Sequence, residues 1–137
     1  HVKCNYLTAG GELIMDKVFR LGLLADFYGE LLTEKQKKLI DMYYSDDLSL
    51  TEIAQEFKIS KQAVFDILKR AEKSLEEYEE KLRLVERFQK QQKKLDEALK
   101  LVNKLLLQVG DLLSESQLVQ INAIKGLLTD LVREAIE

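Results

Sequence analysis

Residues 50–69, LTEIAQEFKISKQAVFDILK, have the pattern of two short helices separated by a tight turn. Ser49 and Glu52 are spaced as a capping box, which satisfies two backbone donors at the start of a helix. Lys58 and Ile59 interrupt the helical pattern, and Ser60 is placed to cap a second helix. The apolar positions available for contacts between these helices are Ile53, Ala54, Phe57, Ile59, Val64, Ile67 and Leu68. This arrangement predicts a helix-turn-helix.

Two residues of this motif carry specific structural expectations. Ala54 is small and lies where the two helices must approach most closely. Lys58 occupies the turn position at which glycine is usual, because the backbone there adopts φ > 0. A side chain in that conformation costs about 1 kcal/mol. We therefore expect a left-handed backbone at Lys58.

The second helix of a helix-turn-helix usually reads DNA with its first exposed residues. Here the predicted exposed residues are Lys61, Gln62, Phe65, Asp66, Lys69 and Arg70. Glutamine can pair with adenine, and the cations can hold phosphates. However, Phe65 and Asp66 lie where a groove-reading helix would be expected to carry hydrogen-bond donors. The alternative is therefore that the motif is a structural or protein-docking module.

Two further helices are predicted before the motif. Apolar residues between positions 16 and 31 cover one broad face, and Thr33 with Gln36 forms a second capping box ahead of a helix over residues 35–44. A helix-turn-helix needs such helices, because two short helices alone cannot enclose a core. We expect a four-helix domain over residues 15–78.

A long helical extension is predicted over residues 79–137. Apolar residues continue at three- and four-residue spacing to Val109, but their phase changes after an acidic run over residues 76–80, which indicates a break. Gly110 ends this element, and Ser114 or Ser116 can cap a last helix. Its apolar face would contain Leu118, Ile121, Ile124, Leu128, Leu131 and Val132. Such a face needs a partner, and we predict a homodimer through the C-terminal helices.

Charge is distributed unevenly along the chain. Residues 1–57 carry a net charge of −4, residues 58–110 carry +4 and the remainder carries −3. The basic middle offers a second candidate phosphate-binding stripe formed by Arg83, Arg87, Lys90, Lys93 and Lys94. The alternative is a solvated helix face balanced by neighbouring acidic residues.

Composition excludes several classes of protein. The chain has 137 residues, with no proline, no tryptophan and 33% charged residues, which is typical of an all-α protein. One cysteine, Cys4, and one histidine, His1, do not make a metal site, and a reducing cytoplasm is expected. No phosphate loop or catalytic constellation occurs, so we expect neither an enzyme nor a cofactor. No apolar run is long enough for membrane insertion. Residues 1–14, which precede Met15, are interpreted as upstream or vector-derived sequence, and the alternative is an ordered N-terminal arm.

The run over residues 26–82 resembles the YlxM family of small bacterial proteins, which is similar to the region-four helix-turn-helix of sigma factors. The resemblance rests on Phe27 with Tyr28, on Tyr43 with Tyr44, and on the segments LLTEKQ, DDLSLTEIA, SKQAV and LEEYEEKL. It implies a regulatory role in the signal recognition particle pathway, since genes of this family lie beside those of the targeting GTPase and its receptor.

Two functions are consistent with these observations. The first is a DNA-binding helix-turn-helix regulator of that pathway. The second is a protein- or RNA-binding adaptor that docks on the particle's RNA or on its targeting GTPase without reading a DNA sequence. The exposed residues Lys61, Gln62, Lys69 and Arg70 favour nucleic acid, whereas the acidic run over residues 76–80 favours a protein partner.

Overall fold

The computed structural model describes residues 7–9 and 12–14 by their backbone and residues 17–134 in full. Strands β1 (Leu7–Ala9) and β2 (Glu12–Ile14) pair antiparallel, with Leu7 opposite Ile14. Most of the predicted upstream segment, including His1 and Cys4, lies outside the described residues, as does Met15. From residue 17 to residue 134 all regular structure is helical, which confirms the all-α prediction for that part of the chain.

The N-terminal helices are shorter than the sequence predicted, because irregular turns replace their last residues. Helix α1 (Lys17–Tyr28) ends in a 3₁₀ turn over Gly29–Leu31. Helix α2 (Glu34–Ile40) starts at the predicted Thr33 capping box. It then continues into a π turn over Asp41–Ser45, which is closed by the bond from the Asp46 N–H to the Asp41 carbonyl, 3.1 Å.

Helices α3 (Leu50–Phe57) and α4 (Lys61–Leu82) form the helix-turn-helix. Helix α4 packs against α1, α2 and α3, so the core lies around its buried face. The buried apolar residues are Leu21, Leu24, Tyr28, Leu39, Ile40, Met42, Ile53, Ala54, Val64, Leu68, Ala71, Leu75 and Val85. Of the predicted inner face of α4, Val64 and Leu68 are buried and Ile67 is partly buried.

The predicted break in the long helix lies at Arg83, where φ is 53°. Helix α5 (Leu84–Val109) starts immediately after it. The first backbone donors of α5 have side-chain partners, since the Leu84 N–H donates to the Tyr28 hydroxyl at 3.1 Å and the Val85 N–H donates to Glu79 at 3.1 Å. Tyr28 and Glu79 therefore do for α5 what a capping residue does elsewhere.

The chain divides into two compact units, residues 1–85 and residues 86–137. The first unit extends past Tyr78, the expected end of the domain, because Glu79 and Val85 are buried in it. The second unit contains the rest of α5, a 3₁₀ turn over Gly110–Leu112 and helix α6 (Glu115–Glu134). Ser114 caps α6 as predicted, accepting from the Gln117 N–H at 3.3 Å.

The second unit leaves much apolar surface in contact with solvent. No residue within Glu115–Glu134 is buried. Of the predicted apolar face of α6, Leu118, Ile121, Leu128 and Val132 are partly buried, whereas Ile124 and Leu131 are each 49% exposed. Among the residues that the structure describes, no helix combines the length and the apolar character needed to cross a bilayer.

Candidate nucleic-acid interface

The turn between α3 and α4 is held by backbone and side-chain hydrogen bonds. Ser49 and Glu52 form the predicted capping box at the start of α3, with the Ser49 N–H donating to Glu52 at 2.8 Å. At the other end, Lys58 has φ 54° and ψ 44°, which confirms the left-handed backbone expected there. The Ile59 N–H donates to the Ala54 carbonyl at 3.1 Å, and Ser60 Oγ accepts from the Ala63 N–H at 3.0 Å. These bonds fix the direction in which α4 leaves the turn.

All six predicted contact residues of α4 are exposed: Lys61, Gln62, Phe65, Asp66, Lys69 and Arg70. The opposite side of the same turns is buried, with Val64 at 0% and Leu68 at 3% exposure. Because the inner face of α4 is packed in the core, the outer face forms a rigid surface that is open to solvent. The structure therefore places the predicted residues together on one face of α4.

Several of these side chains already have partners on the same helix. Gln62 Nε2 donates to Asp66 Oδ1 at 3.0 Å, and Lys69 Nζ donates to Glu72 Oε2 at 3.0 Å. The hydrogen bond to Glu72 raises the pKa of Lys69. Lys69 Nζ also lies 5.4 Å from the centre of the Phe65 ring, a cation–π distance. A ligand that uses Gln62 or Lys69 must exchange these contacts for its own.

The second candidate surface, the basic stripe, is divided between the two units. Arg83 belongs to the first unit, whereas Arg87, Lys90, Lys93 and Lys94 belong to the second. All five side chains are exposed. Lys90 pairs with Glu86 at 2.7 Å, as the alternative of a charge-balanced helix face predicts. The stripe is therefore not one continuous surface of a single unit.

Residues that the amino-acid pattern did not single out flank the outer face of α4. Tyr44 donates a hydrogen bond to Glu72 Oε1, and Lys17 Nζ lies 3.6 Å from Glu72 Oε2. Burial, followed by the hydrogen bond to Glu72, raises the pKa of Tyr44, so this hydroxyl stays protonated at neutral pH. The pair of tyrosines was visible in the sequence, but a helical pattern gives no indication that Tyr44 meets a residue of α4.

Across residues 17–134, no cluster of three or more His, Cys, Asp or Glu side chains is arranged to hold a metal ion. Several acidic side chains of this region pair with neighbouring cations, as Glu76 does with Arg20 through two contacts of 2.9 and 2.6 Å.

Comparison with known proteins identifies the family. Residues 15–122 match the family model described as "UPF0122: Putative helix-turn-helix protein, YlxM / p13 like". A UPF0122 protein of Halalkalibacterium halodurans is 52% identical over 91 residues, which are 66% of this chain and 84% of that protein. A UPF0122 protein of Bacillus cereus is 54% identical over 80 residues, 58% of this chain and 73% of that protein. The resemblance inferred from the sequence is confirmed, and the chain belongs to the UPF0122 family of YlxM-like bacterial helix-turn-helix proteins.

Proposed function

We propose that this protein is a nucleic-acid-binding regulator that contacts its target through the outer face of α4. The observation that carries the proposal is the division of one helix into two faces. Val64 and Leu68 anchor it in the core, while Lys61, Lys69 and Arg70 point a cationic surface into solvent. A helix fixed in this way is what a major groove can receive.

The charges of this face predict modest affinity for a single copy. Three cations on α4 would neutralise about three phosphates, and Asp66 opposes them. Binding must also replace the hydrogen bonds that Gln62 and Lys69 make within the helix by contacts with the nucleic acid. A homodimer would compensate, because two linked sites bind more tightly than either alone. The exposed apolar residues of α5 and α6 support such a dimer: Leu101, Leu105, Ile124, Leu127 and Leu131.

The resemblance to YlxM supports a role in the signal recognition particle pathway, so we propose the particle's RNA as a target beside promoter DNA. The binding role, with neither catalysis nor a cofactor, would be exercised in the bacterial cytoplasm.

A second candidate function is that of an adaptor that docks on the targeting GTPase. Its support is that Phe65, which would not be needed to hold phosphate, is 42% exposed at the centre of the outer face of α4. Glu77 and Glu80 are exposed farther along the same helix. An exposed aromatic residue suits a protein interface better than the phosphate-lined groove of a duplex.

Titrations at two salt concentrations distinguish these functions. The full chain would be titrated with duplex DNA, with the particle RNA and with the targeting GTPase. Between about 50 and 200 mM salt, three phosphate contacts predict roughly a fortyfold loss of affinity for duplex DNA. Binding of the GTPase through Phe65 should change much less. Failure to bind either nucleic acid at the lower salt concentration would contradict the first function.

A further inference from the structure

A shallow groove lies beside the outer face of α4, within the first unit. It consists of two hollows of about 220 and 200 Å³ that share Val18, Tyr43 and Tyr44 as lining residues. The second hollow reaches α4, where Phe65, Lys69 and Glu72 line it. The groove is therefore continuous with the surface proposed above to bind nucleic acid.

The groove contains two aromatic rings that are accessible to solvent. Tyr43 is 36% exposed and Phe65 is 42% exposed. The ring of Tyr44 packs edge-on against Tyr43, with 4.9 Å between the ring centres, and holds it in place. Both tyrosines belong to the π turn, a feature found frequently at functional sites. The Tyr43 ring is thus packed against Tyr44 while part of its surface, like that of Phe65, remains open to solvent.

Charged groups flank these rings. Lys17 and Lys69 both approach the same carboxylate oxygen, Glu72 Oε2, at 3.6 and 3.0 Å, and their side chains are 68% and 46% exposed. Glu72 itself is 13% exposed and also accepts the hydrogen bond from the Tyr44 hydroxyl. The arrangement is an aromatic groove with a shielded carboxylate and two cations that reach into solvent.

We propose that this groove binds an unpaired nucleobase of a nucleic-acid strand whose phosphates are held by Lys17 and Lys69. Exposed aromatic rings stack on unpaired bases, and cations beside them follow the backbone. Each hollow is smaller than the 300–1,000 Å³ typical of pockets for drug-sized ligands, so a single planar group fits better than a large cofactor. The exposed cations are complementary to phosphate. This inference rests on the proposed function and adds that the target also carries unpaired bases.

The test compares strands that differ only in their bases. The full-length protein would be titrated with a short single-stranded RNA, with an abasic strand of the same length and charge, and with duplex DNA. Wild type should bind the base-bearing strand about tenfold more tightly than the abasic strand, which is within the contribution of base–aromatic stacking. Tyr43→Ala should remove this difference and leave duplex binding within about twofold.

Matched variants keep the test specific. Tyr43→Phe retains the ring and should behave as wild type with both strands. Phe27→Ala removes an aromatic ring that is 38% exposed but does not line the groove, and should also retain the tenfold difference. If Tyr43→Ala does not fold, Phe65→Ala provides the same comparison between the base-bearing and abasic strands.

The contradicting results are distinct. Equal affinity of wild type for the base-bearing and abasic strands would overturn the groove assignment while leaving the proposed function intact. Absence of binding to every nucleic acid would overturn both. A loss of binding to the targeting GTPase in Tyr43→Ala, with strand binding unchanged, would assign the groove to a protein partner and reject the nucleobase.

Discussion

The buried hydroxyl of Tyr28 donates a hydrogen bond to Glu79 Oε2 at 3.2 Å, joining the end of α1 to the last turn of α4. The same hydroxyl accepts from the Leu84 N–H, and Glu79 accepts from the Val85 N–H. Glu79 is only 7% exposed and is a charged residue within the core. The break at Arg83 leaves the first N–H groups of α5 without helical acceptors, and these bonds satisfy them. Tyr28 and Glu79 therefore stabilise the end of one helix and the start of the next.

Removing the Tyr28 hydroxyl should therefore destabilise the first unit. In Tyr28→Phe the Leu84 N–H and one oxygen of Glu79 lose a buried partner, which should cost about 1–3 kcal/mol of unfolding free energy. Urea denaturation followed by circular dichroism measures it. Tyr78→Phe is the matched control, because the Tyr78 hydroxyl donates to the Leu31 carbonyl in an exposed position and should cost about 0.5 kcal/mol. Equal effects of the two variants would argue against the role of Tyr28.

The left-handed backbone at Lys58 gives a second prediction. Lys58→Gly should raise stability by about 0.5–1 kcal/mol, because glycine adopts φ 54° without the clash of a Cβ atom. Lys58→Ala is the control, since it removes the charge but keeps the Cβ atom, and should be close to neutral. The measurement is the midpoint of thermal unfolding. A decrease in stability on introducing glycine would contradict the account of strain at this turn.

The outer face of α4 gives a third prediction about nucleic-acid binding. Replacing both Lys69 and Arg70 with Ala should weaken binding equally for all sequences and make the salt dependence shallower by about two units of slope. Gln62→Ala should instead change the preference among sequences, because it removes a side chain able to contact a base edge. Fluorescence anisotropy at several salt concentrations measures both. If binding were present and neither variant altered it, the site would move to the basic stripe that starts at Arg83.

Two exposed apolar residues of α6 give a fourth prediction, on association. Leu127 and Leu131 are 66% and 49% exposed, and charged residues at both positions should convert a homodimer into a monomer. Sedimentation equilibrium of the Leu127→Glu, Leu131→Glu double variant tests this. Val119→Glu changes an apolar residue that is 68% exposed on another side of the helix and should leave association unchanged. A monomeric wild-type protein at micromolar concentration would contradict the dimer.

The carboxylate of Glu72 gives a fifth prediction, on pH. Burial is the largest single influence on the pKa of Glu72 and raises it. Hydrogen bonds from Tyr44 and Lys69, together with the positive charges of Lys17 and Lys69, outweigh burial, so the pKa is lowered overall. A lowered folded-state pKa means that the stabilisation is present above the unfolded value, about 4.3, and is lost as pH falls through the folded value.

Glu72→Gln should accordingly lose more stability at about pH 7 than at about pH 3. Chemical denaturation at the two pH values measures the difference. Glu77→Gln provides the comparison, since Glu77 is 53% exposed and 3.8 Å from Lys73, and such a surface pair contributes little. If the difference in unfolding free energy between wild type and Glu72→Gln did not change with pH, the hydrogen bonds assigned to Glu72 would be contradicted.

The local signals of the sequence were sufficient for the helix-turn-helix. Capping boxes at Thr33 and Ser49, the cap at Ser60 and the unusual residue Lys58 depend on neighbours within a few positions, so each was predictable and each is confirmed. The exposed set on α4 was also predictable, because a helix with one buried stripe must present its opposite face to solvent. The break in the long helix was indicated by a change in apolar phase, and its location at Arg83 was not.

Only the tertiary structure decided which distant residues meet. Tyr28 and Glu79 are separated by 51 positions, and Tyr44 and Glu72 by 28, and no periodicity connects them. The buried carboxylate, the exact ends of α1 and α2 and the aromatic groove all depend on such contacts. The physical reason is that capping and amphipathic pattern act within one helix, whereas burial and long-range hydrogen bonds depend on how helices pack.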